Sequence, residues 1–382
     1  MSRELAMDFQ PFAVEQFLSE NEHAVRYNFS ESGVHPLSYH ELFNLADINT
    51  DELFNQLVDY PQVNGFESLR EVIASRYAGA TAANVLVTVG ASEANALTAA
   101  TLLEPRDNLV RLLPTYEQLC GDALNLGFEV RNVKLHPGQR WEIDELALCK
   151  ATDQHTRILH VVNPNNPTGS VLTSSERTML INCAGQVGAW LVADEVYIGT
   201  ERDTDQPTPS FWGKSEQVII INSMSKAYGL PGLRIGWVVA PEVVINKLWR
   251  RHEYAVIAAS RLSMRLAEHA LRSPACDKLN ARTRQLVRRG FNILQEQLAT
   301  HTDVFSVIPP QASAMSFVQF RLPVTSEELA KRLLREEDVL VLPGSRFGME
   351  NYFRFSSALE QDHLLEGLSR LNRVVGRILA GR

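Results

Sequence analysis

Lys226 follows an apolar run in the stretch Asn222-Ser223-Met224-Ser225-Lys226-Ala227-Tyr228-Gly229-Leu230-Pro231-Gly232-Leu233-Arg234. Lysine seldom faces a core, and where it does desolvation favours the neutral amine. A neutral amine is what Schiff-base chemistry on a carbonyl requires. Taken alone, such a lysine reads as readily as a solvated loop residue. Its neighbours argue otherwise: the Ser223 hydroxyl and the Arg234 guanidinium are suited to a phosphate. Asp194, in Ala193-Asp194-Glu195-Val196-Tyr197, ends another apolar run, where a carboxylate needs a charged partner. By itself Asp194 could equally be a helix cap.

The Lys226 segment resembles the lysine motif of fold type I pyridoxal-phosphate (PLP) enzymes, the aspartate-aminotransferase superfamily. The resemblance runs in the same order over about three quarters of the chain. It implies PLP as cofactor, with Lys226 as its Schiff-base lysine. It assigns Gly90, Ala91, Ser92 and Glu93, where a strand gives way to a helix, to the cofactor phosphate, as helix N-termini bind anions. Ser223 and Arg234 join them. The resemblance stacks Tyr116, of Pro114-Thr115-Tyr116, on the pyridine ring. Asn166, of Asn163-Pro164-Asn165-Asn166-Pro167-Thr168-Gly169, and Tyr197 would donate to the phenolic oxygen. Asp194 would keep the ring nitrogen protonated, making the ring an electron sink. Arg354, in Tyr352-Phe353-Arg354-Phe355-Ser356, matches the arginine that clamps a substrate α-carboxylate. Tyr60, five residues before Gly65, matches a tyrosine that reaches the neighbouring subunit's phosphate, which implies a homodimer with shared active sites.

Two outcomes at the substrate α-carbon follow. Transamination is the usual reaction of the superfamily. The other comes from the N-terminal segment, where Ser32-Gly33-Val34-His35, with Tyr39, Glu41 and Leu42, is similar to the start of capreomycidine-synthase-like enzymes. That similarity implies elimination and ring closure of a hydroxylated arginine-type amino acid. Glu31, Gly33 and His35 would then meet the substrate side chain, the carboxylate facing a guanidinium and the imidazole serving as a proton donor. A loop histidine without such a role is the competing reading of His35.

Something must hold these groups together. Short apolar runs at 84–89, 108–112, 128–133, 157–162, 189–193 and 217–222 alternate with helical stretches at 68–77 and 93–103 and between most later runs. Alternation of this kind predicts an α/β fold, with a mainly parallel sheet flanked by helices, and the family resemblance implies a seven-stranded-type sheet. After Leu248 the pattern becomes long helices, then mixed strands and helices. That predicts a smaller α+β domain. The expected division is an N-terminal segment over the active site (1–45), a large PLP-binding domain (46–250) and the small domain (251–382).

Bulk properties exclude other classes. The formal net charge is −8, with no basic block, which disfavours a nucleic-acid or anionic-membrane surface. A DNA-binding regulator built on the same fold is therefore disfavoured as well. The residues around Met1–Pro11 lack the apolar core of a signal peptide, and no apolar run is long enough to span a bilayer. Cys120, Cys149, Cys183 and Cys276 lie far apart, which suits reduced thiols and no metal site. A cytoplasmic enzyme is expected.

Overall fold

The computed structural model describes residues 9–138 and 140–381. The apolar runs form one large sheet. Its strands are β1 (Val85–Thr88), β2 (Asn108–Leu113), β3 (Glu129–His136), β4 (Glu142–Ile143), β5 (Thr156–Val162), β6 (Trp190–Asp194), β7 (Val218–Ser223) and β8 (Gly236–Val239). Across the sheet they are ordered β1-β8-β7-β6-β5-β2-β3-β4. From β7 to β3 every pairing is parallel. The short β8 is antiparallel to both neighbours, and the two-residue β4 closes the far edge antiparallel to β3. The sheet thus has eight strands against the seven-stranded type expected; β8 and the two-residue β4 lie outside the six apolar runs of the sequence.

Successive side chains on a strand point to opposite faces. In β7, Val218 and Ile220 pack into one buried cluster, Ile219 and Ile221 into another. Both faces are therefore covered at the centre of the sheet, which is why a run such as β7 is apolar at successive positions, whereas β3, next to the edge, is largely polar. Crossover loops in such a sheet leave a crevice at the carboxyl ends of the strands. Asp194 and Ser223 are the last residues of β6 and β7, and the turn to the helix Gly90–Leu102 follows β1.

The C-terminal part builds a second, antiparallel sheet. It contains β9 (Phe305–Val307), β10 (Met315–Phe320), β11 (Leu342–Pro343) and β12 (Tyr352–Ser356), ordered β9-β10-β12-β11. The long helices Ala275–Leu298 and Gln361–Leu379 accompany it. The N-terminal segment is tied to this sheet's surroundings. Tyr27–Asn28 pairs in parallel with Val339–Leu340, and Ser356 N donates to Phe29 O at 2.8 Å. Phe29 stacks on Phe355, with ring centroids 4.5 Å apart. That approach needs Gly367, where a Cβ would stand 2.0 Å from the Phe29 ring. No helix among the described residues is long and apolar enough to cross a membrane.

Candidate active site

A cavity of about 340 Å³ opens at the carboxyl ends of β5, β6 and β7, within the size range of small-molecule sites. Lys226 lines it from the turn after β7 and donates from Nζ to Ser32 Oγ at 2.8 Å. Burial holds its pKa below the usual lysine range; Glu31 opposes that and Arg354 adds to it. Gly33 explains how the N-terminal segment gets so close. A Cβ there would lie 3.2 Å from Ser225 O and 3.8 Å from Lys226 Cδ.

Asp194 faces the same cavity. Its Oδ1 accepts from Val196 N at 3.2 Å. Burial pushes its pKa up to about 6, while hydrogen bonds from Val196 and Asn95 and the charge of Lys226 pull it back. Asn95, one turn into the helix that starts at Gly90, has a buried Oδ1 without a partner among the described residues.

On the other side, three groups form a chain. Arg354 Nη1 donates to Asn166 Oδ1 at 2.9 Å, and Asn166 Nδ2 donates to Tyr197 Oη at 3.3 Å. Arg354 Nη2 donates to Ser30 O, while its buried Nε has no protein partner among the described residues. Its guanidinium is buried to 1 % exposure, and burial lowers its pKa. An arginine so placed is costly unless an anion completes its surroundings. Burial likewise raises the Tyr197 phenol. Tyr116 also lines the cavity and donates from Oη to Glu15 Oε1 at 2.8 Å, with Phe12 tilted against it at 5.1 Å.

At the remaining end the chain makes a cradle. Gly90 has φ +73°, and a Cβ on it would stand 2.4 Å from Arg234 Nη2. A Cβ on Gly236 would stand 2.4 Å from Gly90 C. Two glycines therefore let the guanidinium lie against the start of a helix, whose first N–H groups have no acceptor within the helix. Arg234 is held there by Nη1 bonds to Ser225 Oγ at 3.3 Å and Pro231 O at 3.1 Å. Ala91, Ser92 and Ser223 line the cavity beside it.

Thus Lys226, Asp194, Tyr197, Asn166, Tyr116, Ala91, Ser92, Ser223 and Arg234 meet in one cavity, with Arg354 bonded to its wall. Glu93, Glu31, His35 and Tyr60 do not line this cavity, Tyr60 being the residue that the resemblance assigns to the neighbouring subunit's phosphate. The Glu93 side chain turns away, accepting from Val89 N at 2.6 Å and meeting His252 Nδ1 at 2.7 Å. Glu31 is exposed at the rim, close enough to act on the charge of Lys226 and Arg354. His35 does not line the cavity; its backbone N donates to Ala358 O, and its ring faces Glu360 at 3.9 Å. Tyr60 is 82 % exposed, in a separate surface groove with Leu57, Val58 and Val256–Leu262. A larger cleft of about 760 Å³ is lined by Arg284 and Arg288, which already pair with Glu201 and Asp205.

Sequence reasoning passed over Ser32, Ser30, Asn95, Glu15 and Phe12. Ser32 carried a signal, because it opens the Ser32-Gly33 pair already singled out. The others reach the cavity only through tertiary packing, and nothing in their local sequence marks them.

A parallel α/β sheet with a buried lysine, a buried carboxylate and an anion cradle at its carboxyl edge is the arrangement of a fold type I PLP-dependent enzyme. The chain belongs to the class I and II aminotransferase family, whose model matches residues 44–371. It is 30% identical to capreomycidine synthase of Streptomyces vinaceus over 97% of this chain and 95% of that protein. Among solved structures it is similar to a PLP-dependent aminotransferase from Streptococcus suis, with a TM-score of 0.91 and 30% identity over 97% and 98% of the two chains. The PLP-dependent cyclase OrfR superposes with a TM-score of 0.88 at 28% identity, over 96% and 97%. The cofactor is pyridoxal 5'-phosphate. The cavity fits it in charge: a cationic cradle at one end, a buried carboxylate opposite, and a neutral-leaning amine between.

Proposed function

We propose that this enzyme breaks the Cα–H bond of an amino acid and transfers its amino group. The observation that carries this reading is the single cavity holding Lys226 and Asp194 with Arg354 at its wall. When bound, PLP supplies an electron-withdrawing ring conjugated to a carbonyl carbon. Ala91 and Ser92 N–H, Ser223 Oγ and Arg234 would hold its phosphate, and Tyr116 its ring face. Tyr197 Oη and Asn166 Nδ2 would donate to its phenolic oxygen, and Asp194 would accept from its ring N–H. Arg354 takes the substrate carboxylate through a guanidinium already oriented by Asn166 and Ser30. Lys226 Nζ, favoured as a neutral amine by burial, takes the Cα proton as general base. Ser32 Oγ, at 2.8 Å from Nζ, is positioned to orient that amine.

A second reading is elimination and ring closure of a hydroxylated arginine-type substrate. It is favoured by the N-terminal segment, which brings Ser32 and Gly33 onto Lys226 and Glu31 to the rim. Glu15 and Glu31 together would suit a guanidinium. Similarity to capreomycidine synthase over nearly the whole chain, this segment included, supports it. His35 lends no support, since its ring faces Glu360.

Incubation with a panel of amino acids, including arginine and hydroxyarginine, distinguishes the two. Transamination converts the cofactor to its amino form and releases a keto acid. A cyclase or eliminase yields product with loss of water or ammonia and leaves the cofactor unconverted.

We further propose a homodimer, in which Tyr60 serves the partner's site. Phe54, Leu57 and Val58 are 70 %, 74 % and 106 % exposed around the groove that holds Tyr60, an apolar surface that suits a second copy of the chain. The division of the chain at residues 45 and 250 into a covering segment and two domains belongs to the same proposal.

A further inference from the structure

Glu93 and His252 form a buried pair with no place in the chemistry described so far. The His252 side chain is 0 % exposed and that of Glu93 9 %. Glu93 Oε1 meets His252 Nδ1 at 2.7 Å, while Oε2 accepts from Val89 N at 2.6 Å. The other ring nitrogen, Nε2, lies 3.0 Å from Val63 O. A backbone carbonyl only accepts, so Nε2 carries a hydrogen. Every polar atom of the pair is therefore engaged, and each contact falls on a different segment.

Those segments are the ones that shape the cradle. Val89 directly precedes Gly90, the left-handed residue against which Arg234 lies. Glu93 sits in the first turn of the same helix, one residue past Ser92. Fixing Val89 N–H to a side chain four residues on holds the turn that carries Ala91 and Ser92, both of which line the cavity. Val63 stands next to Asn64, whose carbonyl accepts from Val87 N of β1 at 3.1 Å. His252, in the last turn of the helix Glu242–Ala255, braces the assembly from outside the sheet. A helix N-terminus binds an anion well only when its N–H groups point at one place. Glu93 and His252, which tie that turn down, do not themselves line the cavity.

We propose that Glu93 and His252 are positioning residues for the cofactor phosphate. Together they hold the Val89–Ser92 turn in its anion-binding form, and Glu93 acts through this turn without touching the cofactor. The proposal rests on the reading that this turn receives the phosphate.

The test compares two ligands on the purified apo full-length protein: pyridoxal 5'-phosphate and pyridoxal, which lacks the phosphate. Binding is followed by absorbance titration in wild type, Glu93→Gln, His252→Gln and the double variant, with apo melting temperature recorded for each. The expected result is a rise in the Kd of pyridoxal 5'-phosphate of about tenfold or more in each single variant. The Kd of pyridoxal stays within about twofold of wild type, and the double variant is no worse than the worse single one, as expected for groups acting as one unit. Equal weakening of both ligands, or unchanged phosphate binding in the folded variants, overturns the proposal. If one variant does not fold, the other gives the same comparison. Failure of the underlying reading looks different: wild type itself would then bind the two ligands with equal affinity.

Discussion

Asp194 shows how a functional residue and a stable fold pull apart. Its folded pKa is raised from 3.8 to about 6 by burial, so the apo fold prefers the protonated form. Below about pH 4 the folded and unfolded states are both protonated and the group has no effect. Between about pH 4 and about pH 6 the unfolded carboxyl ionises while the buried one stays protonated, so stability falls by about 3 kcal/mol and then levels off. Asp194→Asn removes that loss. Denaturant unfolding of the two apo proteins should show the variant more stable at pH 7.5 and the gap closing toward pH 4. The same variant should lose activity by about 100-fold or more, since it cannot hold the ring nitrogen protonated. A variant no more stable at pH 7.5 would mean the carboxyl is already satisfied. Arg354→Lys tests the carboxylate clamp. Replacing a planar fork with a point charge costs about 1.5–3 kcal/mol of charged hydrogen bonding, so KM for the amino acid should rise about 10- to 100-fold. Steady-state kinetics with unchanged KM would remove Arg354 from substrate binding.

At the scale of elements, the cradle depends on backbone shape more than on side-chain chemistry. Gly90→Ala places a methyl 2.4 Å from Arg234 Nη2 at a φ of +73°. Either the turn or the guanidinium must move, and the Kd for PLP should rise about tenfold or more by absorbance titration. An unchanged Kd would mean the phosphate is bound elsewhere. Most elements were legible in the sequence, because the central strands, such as β6 and β7, are runs of mainly apolar residues buried on both faces and bounded by polar or turn residues. β8 and the helix Glu242–Ala255 were not. Gly236-Trp237-Val238-Val239 is short, begins with glycine and follows Lys226 with only a three-residue 3-10 turn between. Its neighbour, the helix Glu242–Ala255, buries only Val244, Ile245, Leu248 and His252, a stripe too narrow to stand out.

The whole molecule explains why the site was legible in part. Motif residues at strand ends, such as Asp194 and Lys226, carry their context in the adjoining sequence. Ser32, Asn95 and Glu15 reach the cavity from segments far away in sequence, so only the folded chain brings them there. Of the two readings of His35, the loop histidine suits its position better: its neighbours Ser32 and Gly33 turn inward, while the His35 ring faces Glu360. At this scale the exposed groove around Tyr60 makes a prediction of its own. Val58→Asp puts a charge on an exposed apolar surface and should leave the folded chain intact. Sedimentation should then show a monomer where wild type is a dimer, with PLP bound more weakly. A wild type that sediments as a monomer would remove Tyr60 from the site.

The central claim, that Lys226 carries the cofactor, has a direct chemical test. The protein is loaded with PLP, reduced with borohydride, digested and analysed by mass spectrometry. A pyridoxyl-phosphate adduct on the peptide containing Lys226, absent in Lys226→Ala along with the visible absorbance of the bound cofactor, is the predicted result. An adduct on another lysine, or an unchanged spectrum in Lys226→Ala, would contradict the account.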